Sequence, residues 1–317
     1  MKTRIHIVAN CADRKRLQVP PQCMLRMHHA RSGLSRLASF LRTLESARGV
    51  SAVAEELYVG PYWAVVRDLP VVAASRGLEA SLWVASAGYG LVPGSARLHG
   101  YSATFRVGEP DSVPSTDEPF SITEQLTAWW AGLSEWAGPS GKPRRIADLA
   151  SAEPKAYVMV VSSPRYVQAM SEDLRSALKY LGPRLIIVTS HRLASSDPLA
   201  ANVVLSEERL LPVVEGARPA LHARVARHIL AGSRSSGLDA HELRSRYARL
   251  AARAGFTRVP TRKPMTDAEV KRYLRQELHR APRLSYTRAL RVLRSRGRAC
   301  EQKRFKGLFG EVVGRVN

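Results

Sequence analysis

The stretch LWVASAGYGLVPGSARLHGYSATF, residues 82–105, leaves an apolar run for the small residues Ser86-Ala87-Gly88-Tyr89-Gly90 and returns with aromatics and hydroxyls. Alone it reads either as a tight turn or as the floor of a pocket, and the surrounding chain must decide. Extended back to ASLWVAS (80–86), it is one of a set of apolar runs of strand length. The others are IHIVAN (5–10), AYVMVVS (156–162), RLIIVTS (184–190) and a weaker NVVLS (202–206). Helical stretches intervene, including 34–48, the Trp-rich QLTAWWAGLSEWAG (125–138) and 164–181. Short apolar runs alternating with longer helical patterns are the signature of an α/β layer fold. Residues 1–235 are therefore expected to form an open, mostly parallel sheet flanked by helices.

In such sheets the ligand sits beyond the carboxyl ends of the strands. Those ends read Asn10-Cys11-Ala12-Asp13, Ser86-Ala87-Gly88-Tyr89-Gly90, Ser162-Ser163-Pro164-Arg165 and Ser190-His191-Arg192. Parallel neighbours would bring Asn10, Asp13, Ser86, Tyr89, Ser163 and His191 to one pocket. Ser163-Pro164 is also a good helix start, whose free amides could hold a phosphate or a carbonyl oxygen. Gly88 and Gly90 supply backbone freedom, and make the turn a candidate pocket floor that a base or sugar can approach. The aromatic segment LYVGPYW (57–63) contributes Tyr62 and Trp63, which read either as core or, with Tyr89, Tyr101 and Phe105, as a wall for stacking an extruded base. There is no G-x-G-x-x-G and no Walker lysine, which argues against a dinucleotide or NTP site.

Charge points to the partner. The chain of 317 residues carries a net +22. Residues 236–317 hold 21 Lys/Arg against 7 Asp/Glu, and residues 1–40 hold 8 against 1, so the excess lies at the two ends. Such a field attracts polyanions, nucleic acid first and anionic membrane second. Cys11, Cys23 and Cys300 form no CxxC pair, and with His28 and His29 they match no usual zinc spacing, so neither a disulfide framework nor a metal or other cofactor is expected. No segment has the length of a signal peptide core or a membrane span, which places the expected location in the cytoplasm.

After the Gly/Ser-rich AGSRSSGLDA (231–240), a basic helical domain is expected over 236–317. Thr266 and Glu269 form a capping box before a helix with Val270, Leu274 and Leu278 on one face. Leu290 and Leu293 mark a second helix, Gly297 breaks it, and Phe305, Leu308 and Phe309 face inward from a third. Two short helices about a glycine turn have the size of a helix-turn-helix. Arg288, Arg291 and Arg294 on the first, and Gln302, Lys303, Arg304 and Lys306 on the second, are the expected nucleic-acid contacts. Arg14, Lys15, Arg165 and Arg192 would add phosphate contacts at the strand tips.

A strand ending in VANCADRK, the aromatic LYVGPYW, and ASAGYGLV followed by YSATF together resemble a bacterial family with a uracil-DNA-glycosylase-like core, some members of which are antiviral glycosylases that excise glucosylated hydroxymethylcytosine from phage DNA. The resemblance covers roughly residues 1–235. The family's Gly-Gln-Asp-Pro-Tyr motif is replaced here by Asn10-Cys11-Ala12-Asp13, and its His-Pro-Ser motif by Ser190-His191-Arg192. It implies a monofunctional DNA N-glycosylase acting on a modified base in double-stranded DNA, without a cofactor or an obligate protein partner. Cleavage through an oxocarbenium-like sugar then assigns Asp13 as the carboxylate, Asn10 to position water or base, and His191 to stabilise the leaving base. Ser86, Tyr89 and Ser163 would line the pocket, and Lys15 reads as a phosphate contact instead of a Schiff-base lysine. A DNA-binding regulator and a base-exchange enzyme remain the alternatives.

Overall fold

Ile5, Ile7, Val8 and Ala9 are fully buried, as a strand covered on both faces requires. They lie in β1 (Thr3–Asn10) of a computed structural model that describes residues 3–29, 33–216, 218–233, 237–254, 262–282 and 284–314. The chain divides into two compact units, Met1–Gly255 and Phe256–Asn317.

In the first unit β1 is followed by α1 (Gly33–Ser46), β2 (Ser51–Val53), α2 (Ala54–Leu57), α3 (Pro61–Ala74), β3 (Leu78–Ser86), β4 (Gly90–Pro93) and β5 (Arg97–His99). Next come α4 (Ile122–Glu135), α5 (Ile146–Ala152), β6 (Tyr157–Val161), α6 (Pro164–Ala169), α7 (Ser171–Leu181) and β7 (Leu185–Thr189). The unit closes with β8 (Val203–Leu205), α8 (Leu211–Val214), α9 (Leu221–Gly232) and α10 (Ala240–Arg253). The main sheet has the order β4-β3-β1-β6-β7-β8, and β2 pairs with β5 separately. All neighbours in the main sheet are parallel except β4, which turns back on β3. Every strand expected from the apolar runs is present. The chain moves one way from β1 to β3 and the other way to β6, so the order reverses between β1 and β6, where open sheets form their ligand crevice.

Helices flank this sheet. α3 and α9 pack on each other, α3 also on β3, and α9 also on β6 and β7. α1 packs on α4, α4 on α6, and α5 on α7. The start of α4 is set by Ser121 and Glu124, whose side chains and amides bond reciprocally in a capping box. The helix expected over 164–181 is two helices, because the chain breaks at Met170 between α6 and α7. A second correction concerns the domain boundary at 235. α10 packs on β8 and β7 and buries Leu243, Tyr247 and Ala251, so it belongs to the sheet unit and the boundary falls after it.

The second unit contains β9 (Lys263–Pro264), α11 (Asp267–Arg280), α12 (Tyr286–Ser295), β10 (Arg298–Ala299) and α13 (Gln302–Val313). Val270, Leu274, Leu290, Leu293, Phe305 and Leu308 are buried in its core, and Leu278 and Phe309 pack against it. The expected capping box at Thr266 and Glu269 is formed. Among the described residues no helix is long and apolar enough to cross a membrane.

Candidate functional site

The last residue of β1 is tied directly to the exit of β6. Buried Asn10 accepts a hydrogen bond through Oδ1 from the Ser163 backbone amide at 3.0 Å, while the Tyr62 hydroxyl donates to Val161 O at 2.8 Å and lies 3.4 Å from the same Oδ1. The Trp63 indole donates to the Asn10 carbonyl at 3.1 Å. Asn10, Ser163, Tyr62 and Trp63 are therefore brought together as expected, but in other roles. Ser163 precedes α6 with no side-chain cap bond. Trp63 is fully buried, and half-buried Tyr62 stacks on His222 at 4.7 Å. Trp63 is therefore closed to a base, and Tyr62 has its ring against His222.

The turn at 86–90 is packed core and not a pocket floor. Ser86 Oγ accepts from the amides of Gly88 and Tyr89 at 3.2 and 2.9 Å, closing the turn. A Cβ on Gly88 would stand 2.5 Å from the ring of Tyr101, so glycine here admits the tyrosine and not a ligand. Gly90 adopts φ +69°, a left-handed conformation suited to glycine. Tyr89, Tyr101 and Phe105 are buried, and Arg144 fastens the turn from behind by donating to the carbonyls of Tyr89 and Leu91. The stacking wall expected from Tyr62, Trp63, Tyr89, Tyr101 and Phe105 is not formed as such, because Trp63, Tyr89, Tyr101 and Phe105 are buried against other rings.

Beneath the β1 exit lies a chain of buried hydroxyls. Tyr101 Oη is 2.7 Å from Ser86 Oγ and 3.0 Å from Tyr58 Oη, and Cys11 Sγ is 2.9 Å from Tyr166 Oη. Burial pushes the phenols of Tyr58, Tyr101 and Tyr166 well above their ordinary range, so all three are neutral. Lys15 folds onto this cluster instead of reaching out to a phosphate. Its half-buried side chain places Nζ 4.3 Å from the Tyr101 ring centroid and 5.8 Å from that of Tyr58, and donates to the carbonyls of Ala12 and Asp13 at 3.3 Å each. Burial lowers its pKa, against the opposing fields of Cys11, Asp13 and Asp111. Asp13 stands exposed at the rim, ion-paired with Arg106 at 3.4 Å, and Arg14 is exposed beside it.

The carboxyl ends of β6 and β7 open on a cavity of about 530 Å³. Pro164 and Arg165 line it directly after Ser163, and Thr189 and His191 line it from the end of β7. Val167, Leu193 and Leu199 supply apolar wall, and Gln168 and Thr123 supply amide and hydroxyl. Thr189 is buried, and its Oγ1 has no hydrogen-bond partner among the described residues. Arg175 is held at the edge by Glu172 at 2.6 Å and Asp197 at 2.8 Å. His191 therefore sits with Arg165, whereas Asp13 lies on the β1 loop; the single pocket expected from all strand exits is divided between two places along the edge. Exposed Arg192 approaches Glu207 at 3.9 Å.

His222 is a residue that strand-tip reasoning missed, since it lies on α9. Burial pushes its imidazole from the ordinary 6.5 down to about 4. An unfolded chain takes up this proton near 6.5 while the native chain refuses it until about 4. His222 is thus expected to make stability fall as pH drops across that window, with the full stability present above it. Urea midpoints across the window should decline in the wild type and decline less in His222→Leu.

In the second unit the basic residues split into two groups. Arg304, exposed, donates to Asp267 at 2.7 Å and to Met265 O, and half-buried Arg294 donates to Cys300 O at 3.3 Å, so both are engaged within the unit. Arg288, Arg291, Gln302, Lys303 and Lys306 are exposed, with Lys306 over the Tyr286 ring at 5.7 Å. Cys11, Cys23 and Cys300 are free thiols, and no cluster of His, Cys, Asp or Glu placed to hold a metal occurs among the described residues. Comparison with protein-family models, curated proteins and solved structures finds no match.

Proposed function

We propose that the sheet unit is a DNA N-glycosylase that hydrolyses the bond to a modified base, possessing a uracil-DNA-glycosylase-like core, and that the basic unit grips the duplex through a helix-turn-helix formed by α12 and α13. The observation that carries this reading is the cavity at the ends of β6 and β7, one residue beyond the Asn10–Ser163 bond. Apolar walls of Val167, Leu193 and Leu199, with His191 and a Gln168 amide that itself pairs with Thr123 and Arg165, suit a flat heterocycle with polar edges. The reversal of strand order lies one strand over, between β1 and β6, where Asn10 and Ser163 meet.

In this mechanism His191, at the cavity, donates toward the departing base; Asp13, the carboxylate expected to activate water, lies instead on the β1 loop in an ion pair with Arg106. Asn10 acts as a positioning residue by fixing the first residue of the cavity wall. Exposed Arg288, Arg291 and Lys303 neutralise phosphates, which makes binding salt-dependent. Antiviral action on modified phage DNA is the biological setting proposed for this chemistry.

Abasic sites break under alkali. Modified phage DNA incubated with the protein and run on an alkaline gel is therefore expected to fragment, with unmodified DNA intact. DNA that is bound but remains full-length after alkali would instead indicate a non-catalytic sensor.

A further inference from the structure

Excision of a base leaves a deoxyribose whose ring-opened form carries an aldehyde at C1′, and the β1 exit carries an amine that is in no ion pair among the described residues, with only the longer-range fields of Asp13 and Asp111 on it. Lys15 Nζ lies over the rings of Tyr101 and Tyr58 and donates to two main-chain carbonyls, at 3.3 Å each. The nearest acid in sequence, Asp13, points its carboxylate to Arg106. Burial strips water from the amine and favours its neutral, nucleophilic form, against the two ring faces and two carbonyls, which favour the ammonium. The buried phenols below it are paired with one another and are neutral, so they do not hold the nitrogen as an ammonium by ion pairing.

We propose that Lys15 forms a Schiff base with the C1′ aldehyde of an abasic site, so that the enzyme holds its product covalently instead of acting by hydrolysis alone. The nitrogen lone pair adds to C1′, forming the C–N bond, and the carbonyl oxygen takes a proton to give a carbinolamine. The nitrogen loses a proton, the hydroxyl takes up another and leaves as water, and the C–O bond breaks as the protonated imine forms. This role rests on the excision reading, because excision is what supplies the aldehyde.

The test uses the full chain and a duplex oligonucleotide with one abasic site formed beforehand, mixed in the presence of cyanoborohydride, which reduces an imine to a stable amine. Wild type is expected to give a covalent complex whose peptide mass map places the adduct on Lys15. Lys15→Arg keeps the positive charge and is expected to lose that adduct while still binding the duplex. Absence of an adduct in the wild type, an adduct mapped elsewhere, or an undiminished one in Lys15→Arg would overturn the proposal. Supplying the abasic site separates the two readings. Trapping at Lys15 without base release from any modified DNA would sink excision and leave the amine chemistry standing, and base release without trapping would do the reverse.

Discussion

Replacing Arg144 by Met is expected to lower the free energy of unfolding by about 3–5 kcal/mol. The side chain is 2 % exposed and donates to four carbonyls, Leu91 O at 2.7 Å, Trp136 O at 3.0 Å, Leu133 O at 3.2 Å and Tyr89 O. Burial lowers its pKa to about 10, so it remains a cation at neutral pH. These acceptors belong to the β3–β4 turn, β4 and the end of α4, which the Trp129–Ala87 hydrogen bond and the Tyr89–Trp136 stack also join. Met fills the same volume but leaves the carbonyls unpaired in a dry interior. Lys restores the charge but cannot fan donors toward all four, and should recover only part of the loss. Urea unfolding measures both variants. A Met variant within about 1 kcal/mol of wild type would contradict the assignment of Arg144 as the pin of this edge.

The second large effect is expected at Asn10. Asn10→Leu removes the acceptor of the Ser163 amide, and lets the start of α6 move relative to β1. Because Pro164 and Arg165 line the cavity, a shift of the order of 1 Å there should lower kcat for base release by about 100-fold. KM should change much less if the base and duplex contacts survive. Asn10→Asp keeps an acceptor for the amide and should retain activity within about tenfold of wild type. Equal losses in the two variants would mean that Asn10 acts on the substrate and not through Ser163.

The parallel strands were legible because their Val- and Ile-rich runs are buried on both faces and end sharply in polar residues, as β6 and β7 show. β4 was not, since four residues ending in Pro93 carry too little pattern, and only an edge strand tolerates that proline. The capping boxes at Ser121 and Thr266 are local chemistry, and the one at Thr266 could be read directly. Tertiary satisfaction could not. Tyr101 and Ser86 read as pocket residues, yet their oxygens pair with each other and with Tyr58 and sink into the core. Arg144 sits in a basic, polar stretch that gives no hint of burial, and Arg304 looked like a base reader until Asp267 was seen to hold it. Lys15 reversed for the same reason: its neighbours in sequence are basic, but its neighbours in space are phenol rings.

The central claim is that this chain releases a base. The direct measurement is mass spectrometry of small molecules freed from purified phage genomes that carry different cytosine or guanine modifications. Wild type is expected to release one modified base as the free heterocycle, and Asn10→Leu about 100-fold less of it. Tight binding of those genomes with no free base from any of them would contradict the account.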